Sequence, residues 1–301
     1  MSKPTRLVDA HMHLWDLDHL RYPWLSPPFT DEGINGDVSS IASTYRFEDY
    51  LNEVAAWPVA GVVHIEAGAH PGDALAETHW LEASLSRAGL PFAIIAFAPL
   101  NAPDVERTLA MHCEHPHVRG IRHIANWHPE PRYSYTRSDL LQDPAWQRGV
   151  ALLASYGLSF DLQIYPGQMK DAAVLAAKHP DLQIVLNHAG MPLHRDNEGL
   201  RAWRDGMRLL AAQPNVACKL SGFGIVDHGW TTESIRPFVY EAIEAFGTER
   251  CMFASDLPTD RLHAGADRIL SAYMTMTSDL SDHERDGLFA SNALRIYRPT
   301  A

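Results

Sequence analysis

Cysteine, long apolar runs and excess positive charge are all scarce in this sequence of 301 residues, and each scarcity excludes a class of protein. The three cysteines are scattered and odd in number, which argues against a disulfide framework and for a reducing compartment. No run reaches the roughly 18 apolar residues of a membrane span, and the first residues lack the apolar stretch of a signal peptide. We therefore expect a cytoplasmic protein.

The charge balance excludes polyanionic partners. The net charge is −12 at pH 7, so no basic surface favours nucleic acid or an anionic membrane, and a small molecule is the expected partner. Whether copies of the chain form a homo-oligomer is left open. With 46% hydrophobic residues the chain can bury a large core, and no composition shift divides it, so residues 1–301 are predicted to form a single domain.

Apolar, strand-like runs alternate with helical segments along the whole chain. The first run starts at Leu7 and ends in His11 and His13; seven more cover residues 59–67, 92–98, 118–124, 158–165, 182–188, 215–221 and 250–256. Helices are predicted at 47–56, 75–88, 103–113, 144–156, 169–178, 198–212, 232–246 and 260–276, with an extra C-terminal helix at 281–297. The first and fourth strands are followed by long loops rich in aromatic residues.

This alternation predicts an α/β protein built as a (β/α)8 TIM barrel. The strands are almost continuously apolar, as expected of a parallel sheet that is buried on both faces. A doubly wound open sheet is the alternative, but eight repeats without a Gly-x-Gly-x-x-Gly turn favour the closed barrel.

Polar side chains stand at the C-terminal ends of most of the predicted strands, where a barrel carries its chemistry. In chain order these are His11, His13, His64, Glu66, Arg122, His123, Gln163, Tyr165, Asn187, His188, Lys219, Ser221 and Asp256. Ionisable groups in apolar strands are costly to bury without partners. We therefore expect many of them to face one another across a single mouth.

Several of these residues also have a purely structural interpretation. Asp256 could cap the helix that follows it, and His188 could be a core histidine bonded to backbone. Glu66 could form an ion pair with Lys219 or Arg122. The sequence leaves these alternatives open.

Taken together, the motifs resemble the amidohydrolase superfamily, with His-x-His on strand one, His188 on strand six and Asp256 on strand eight. The stretches 8–15, 22–25, 120–123, 186–190, 219–222, 253–256 and 292–297 are similar to the amidohydrolase-2-type lactonases that act on sugar lactones and on 2-pyrone-4,6-dicarboxylate lactone. This resemblance implies a hydrolase of carbohydrate metabolism that opens a sugar-acid lactone or a related carboxylated lactone. A zinc-dependent decarboxylase of the same superfamily is the alternative, followed by a non-catalytic sugar-binding barrel.

The resemblance also implies a metal site. One divalent ion, with zinc the expected species, would be held by a set drawn from His11, His13, Glu66, His188 and Asp256. Two metals are not expected, because strand four lacks the lysine that bridges the metals in the two-metal members. Some lactonases of this branch are similar in sequence and work without metal, so a metal-free histidine cluster remains an alternative.

Roles for individual residues follow from the same resemblance. Asp256 is the expected general base, and His11, His13 and His188 would stabilise the oxyanion with or without the metal. Six further side chains are expected to bind the substrate: Arg122, His123, Tyr165, Tyr22, Trp24 and Trp127.

Overall fold

Eight parallel strands form a barrel in the computed structural model, which describes residues 3–301. The strands are β1 Leu7–Met12, β2 Val59–Ile65, β3 Phe92–Phe97, β4 Val118–Arg122, β5 Ser159–Leu162, β6 Ile184–Leu186, β7 Val216–Leu220 and β8 Cys251–Phe253. They follow one another around the sheet in chain order, and each neighbouring pair is parallel. The predicted (β/α)8 barrel is confirmed.

Helices cover the outside of the barrel. They are α1 Phe47–Glu53, α2 Ala74–Leu85, α3 Val105–Cys113, α4 Pro144–Leu153, α5 Met169–Lys178, α6 Asn197–Ala211, α7 Phe223–Val226, α8 Thr232–Phe246, α9 Ala266–Met276, α10 Asp282–Asp286 and α11 Asn292–Tyr297. The larger core lies between these helices and the sheet; Trp146 of α4, for example, packs against Phe160 of β5 with ring centroids 5.6 Å apart.

Apart from shifts of up to three residues at helix ends, the helices differ from the prediction at three places. The helix predicted for 260–276 starts at Ala266, because Thr259–Leu262 forms a 3-10 turn that buries Asp260. The helix predicted for 281–297 is interrupted by a π-helical turn at Gly287–Ser291. The short α7 has no counterpart in the prediction, since four residues are too few to show a helical period.

The barrel closes between β1 and β8 through the backbone of predicted site residues. The Asp256 N–H donates to the His11 carbonyl at 2.8 Å, and the His13 N–H donates to the Leu257 carbonyl at 2.7 Å. Closure of the sheet therefore places the His-x-His pair beside Asp256.

The chain leaves the sheet sharply at two of the site residues. β6 ends at Leu186 and β8 ends at Phe253, and the backbone then turns through left-handed conformations, with φ of 54° at His188 and 57° at Asp256. Positive φ is uncommon for residues other than glycine and is concentrated at functional sites. Here it turns the chain at the barrel mouth, where both side chains line a cavity.

The C-terminal segment closes the opposite end of the barrel. Ala290, Ala293 and Tyr297 belong to one buried cluster with small apolar residues of the strands, such as Val8 and Ala217. No helix within residues 3–301 has both the length and the apolar character needed to cross a membrane.

Candidate active site

Three acceptor atoms converge at the mouth of the barrel. Nε2 of His11 and Nε2 of His13 are 3.2 Å apart, and each lies 3.3 Å from Oδ1 of Asp256. All three side chains are buried. A metal site needs at least three such ligand atoms close together. Among the described residues, these three offer ligand atoms that all lie within 4.8 Å of one another. We call these residues the His–His–Asp triangle.

The triangle fits a small divalent cation. In a tetrahedral zinc site with metal–ligand distances of about 2.0–2.1 Å, neighbouring ligands are about 3.3–3.4 Å apart. Nδ1 of His13 donates to the Ile65 carbonyl at 2.8 Å, so its Nε2 presents a lone pair. Nη1 of Arg122 donates towards His11 Nε2 at 3.4 Å. A cation bound between the three atoms would accept their electron pairs, and the long Arg122 contact is weak enough to be replaced at His11 Nε2.

Burial keeps the histidines in the neutral form that binds metals. Desolvation lowers the pKa of His13 to about 3 and that of His188 to about 4. It also lowers the pKa of His11 well below its usual value, with the nearby charge of Lys219 as the next cause. For Asp256 desolvation raises the pKa, and the neighbouring positive groups oppose that rise.

His188, a further predicted ligand, lies beside the triangle. Its ring centroid is 4.6 Å from that of His11, and its Nδ1 is 3.0 Å from the Ser221 hydroxyl. Gly222 makes this packing possible, because a Cβ at that position would lie 2.3 Å from His188 Nδ1. His188 is therefore held firmly at the edge of the triangle.

Glu66, also predicted as a ligand, is engaged elsewhere. Its Oε1 accepts a hydrogen bond from Arg122 Nε at 2.7 Å, and its Oε2 accepts one from the Gly68 N–H at 2.8 Å. Both members of this ion pair are buried. Of the alternatives that the sequence left open for Glu66, the structure shows the ion pair, with Arg122 as the partner.

Three acceptors other than His11 hold Arg122 in place. Besides the Glu66 carboxylate it donates to the Glu66 carbonyl, and Nη1 donates to Gln163 Oε1 at 2.9 Å. The guanidinium is thereby fixed in orientation and its charge is compensated by Glu66, while one edge still faces His11.

A cavity of about 210 Å³ opens beside the triangle. We call it the inner cavity. It is lined by His13, Trp24, Asn35, Ala67, Gly68, Arg122, Ile124, Tyr135, Gln163, His188, Ile225, Asp256 and Thr259. Seven of these had no role in the sequence-based prediction: Asn35, Ala67, Gly68, Ile124, Tyr135, Ile225 and Thr259. Asn35 and Tyr135 lie in long loops and Ile225 lies in the four-residue α7, so none of these three shows a periodic pattern. Only the aromatic character of Tyr135 gave a signal.

Two predicted substrate-binding residues support the loops instead. The Tyr22 hydroxyl donates to Glu77 Oε1 at 3.1 Å beneath the first long loop, and Tyr22 is buried there. Nδ1 of His123 accepts the Leu100 N–H at 3.2 Å. Neither residue lines the inner cavity. For His123 the reason is that alternate residues of a strand face opposite sides, and His123 follows the inward-facing Arg122.

Tyr165 and Trp127 border a different cavity. The Tyr165 hydroxyl donates to the Tyr133 carbonyl at 2.7 Å, and both Tyr165 and Trp127 line a space of about 540 Å³ next to α6. Of the six expected substrate-binding residues, the structure thus brings Arg122 and Trp24 to the inner cavity.

Known proteins resemble this chain over almost its whole length. Residues 8–298 match the family model described as Amidohydrolase. The chain is 40% identical over 293 residues to the uncharacterized protein y4mH of Sinorhizobium fredii, covering 97% of this chain and 98% of that protein. It is 29% identical over 305 residues to L-fucono-1,5-lactonase of Burkholderia multivorans, covering 96% and 95% of the two chains. A crystal structure of a Burkholderia multivorans amidohydrolase with bound zinc has a TM-score of 0.81 and 27% identity, covering 98% of this chain and 100% of that one.

Proposed function

This chain belongs to the amidohydrolase family, and on that premise we propose that it hydrolyses an uncharged lactone with the help of one divalent metal ion. The observation that carries the proposal is the His–His–Asp triangle at the end of a small cavity. The likeness to an L-fucono-1,5-lactonase supports a cyclic ester as the substrate.

His11, His13 and Asp256 would hold the ion. When bound there, a divalent ion such as zinc supplies polarisation of the ester carbonyl and lowers the pKa of a bound water to about 7.

Asp256 is suited to move the proton. Its Oδ1 faces the two histidines, whereas its buried Oδ2 accepts no hydrogen bond from any described residue. Oδ2 would take a proton from the attacking water as its oxygen bonds to the carbonyl carbon. The same proton would pass to the ring oxygen as the ring C–O bond breaks, giving a hydroxy acid. Arg122 and His188, which line the same cavity, would stabilise the oxyanion.

The charge of the site favours a neutral lactone over a carboxylated one. Arg122 is the single lysine or arginine among the residues that line the inner cavity, and Glu66 already compensates its charge. A carboxylate brought into this buried space would therefore lose its hydration without gaining an unpaired arginine or lysine, and the negative charge of Asp256 would oppose its approach to the metal ion. Hydroxyl groups of a sugar lactone can instead bond to Asn35, Gln163 and Thr259.

An activity screen with a pH indicator tests the proposal. Neutral aldonolactones and carboxylated lactones would be offered to the enzyme as isolated, after chelation, and after zinc is restored. We expect acid release from the neutral lactones, loss of activity on chelation and recovery with zinc. Release of carbon dioxide from aromatic carboxylates, or sugar binding without turnover, would contradict the proposal and favour the decarboxylase or the binding protein.

A further inference from the structure

A second cavity of about 310 Å³ adjoins the inner one, and we call it the outer cavity. The two share three lining residues, Trp24, Asn35 and Tyr135. These residues come from both long loops, so they form a partition where the first loop meets the fourth.

The partition has one fixed member. Nε1 of Trp24 donates to the Ala67 carbonyl at 2.8 Å. The indole also packs against Gly68, where a Cβ would lie 2.9 Å from Nε1. Gly68 has a φ of +73°, which further favours glycine at this position. Trp24 is therefore a fixed part of the wall.

Asn35 and Tyr135 form the weakly joined part of the partition. The Tyr135 hydroxyl donates to Asn35 Oδ1 at 3.4 Å, a long and therefore weak hydrogen bond. On the other side of this contact, the Ile34 carbonyl accepts a hydrogen bond from His228 Nε2 at 2.9 Å. Asn35 is thus held at the partition chiefly through the backbone of its neighbour.

The sizes of the two cavities show how the partition would limit the size of a ligand. The inner cavity, at about 210 Å³, is smaller than the roughly 300–1,000 Å³ of pockets that hold drug-sized ligands. It suits a single small ring. Joined to the outer cavity, the space would enter that larger range.

We propose that Asn35 and Tyr135 determine the length of the ring substituent that this enzyme accepts, by closing the inner cavity against the outer one. This role rests on the lactone hydrolysis proposed above. The outer cavity is lined by Pro23, Pro28, Phe29, Val38 and Tyr133 alongside polar residues. These apolar lining residues can pack against an unbranched alkyl chain, so the class of lactone that the partition would exclude is the alkyl-substituted δ-lactones.

A homologous series of δ-lactones with ring substituents from hydrogen to heptyl provides the test. For the wild type, we expect kcat/KM to fall steeply once the chain exceeds one or two carbons. In Asn35→Ala and Tyr135→Ala we expect kcat/KM for the heptyl lactone, relative to the unsubstituted ring, to rise at least tenfold. Tyr133→Ala is the matched control, because Tyr133 lines only the outer cavity and its loss should leave the ratio unchanged.

Binding of the corresponding δ-lactams, measured by calorimetry on the zinc-loaded protein, separates this inference from the proposed function. If neither the wild type nor the variants hydrolyse lactones, yet both partition variants bind the heptyl lactam more tightly, the partition stands and the lactonase proposal fails. If chain-length dependence is the same in the wild type and in both folded partition variants, or if Tyr133→Ala shifts it equally, the partition has no such role.

Discussion

At the residue scale, the proposed chemistry gives the two carboxylate oxygens of Asp256 different roles. Oδ1 lies 3.3 Å from both histidine nitrogens, while Oδ2 is buried and free of described partners. One oxygen can therefore serve the cation and the other the proton. The backbone at Asp256 is left-handed, with a φ of 57°, where the chain turns at the mouth of the barrel.

Asp256→Asn is expected to lower kcat by about 10²–10⁴-fold, the usual contribution of a positioned general base. The amide keeps the shape of the side chain but cannot accept the proton from water. Turnover of a neutral lactone and zinc content would be measured together, so that loss of the base is distinguished from loss of the metal. Near-wild-type turnover in this variant would show that another group takes the proton.

Asp196→Asn is a suitable control for this substitution. Asp196 is exposed and caps α6 by accepting the N–H groups of Glu198 and Gly199. Asparagine is an equally good N-cap, so neither the stability nor the turnover should change.

At the scale of elements, the strands and their polar ends could be predicted because both are local properties of the sequence. An apolar run such as 184–186 is a strand in any parallel barrel, and residues that follow it must lie at the mouth. The ion-pair partner of Glu66 could not be predicted, since Arg122 and Lys219 both lie at strand ends and both were therefore expected at the mouth of the barrel. The geometry of the barrel decides between them, and it pairs Lys219 with Asp161 instead.

The long loops limited the prediction of the site. Asn35 and Tyr135 reach the inner cavity only through loop conformations that depend on distant contacts, such as that of His228 with Ile34. For Tyr22 the prediction was wrong in the other direction. This aromatic residue of the first long loop was expected to bind the substrate, but its hydroxyl donates to Glu77 of α2 instead.

Glu77 of α2 joins the first long loop to the end of β2 beside the inner cavity. It is buried, and its Oε1 accepts hydrogen bonds from the Tyr22 hydroxyl at 3.1 Å and the Ala67 N–H at 3.3 Å. Desolvation, followed by the nearby charge of Glu66, raises the pKa of Glu77 from 4.5 to about 8. Between these values the folded state holds a proton that the unfolded state releases, so this residue's contribution to stability falls as pH rises through that window.

Glu77→Gln is therefore expected to stabilise the protein increasingly as pH rises. Glutamine keeps the accepting oxygen but does not titrate, so the difference in Tm between the variant and the wild type should grow from pH 5 to pH 9. Calorimetry across that range measures it, with Glu106→Gln on the exposed surface of α3 as the control. Parallel Tm profiles for the variant and the wild type would show that Glu77 is not protonated in the folded protein.

At the scale of the whole molecule, the C-terminal segment connects the closed end of the barrel to the layer beneath the site. Asp161 gathers contacts from three parts of the chain: Lys219 Nζ donates to Oδ1 at 2.6 Å, Asn187 Nδ2 donates to it at 3.0 Å, and the Tyr297 hydroxyl lies 2.9 and 3.1 Å from the two oxygens. Asn187 precedes His188, so the last helix supports the mouth of the barrel through this buried group.

Tyr297→Phe is expected to lower the free energy of unfolding by about 1.5–3 kcal/mol, the usual value of a hydrogen bond to a charged group. The ring still fills the floor of the barrel, so the loss isolates the hydroxyl, and kcat should change little because Tyr297 does not line the inner cavity. Urea denaturation provides the measurement. Tyr156→Phe is the matched control, because its hydroxyl makes only a 3.4 Å contact with the Glu106 carbonyl at the surface. Equal stability of the two variants would mean that Asp161 is satisfied by Lys219 and Asn187 alone, and that the C-terminal helix closes the barrel by packing rather than by this bond.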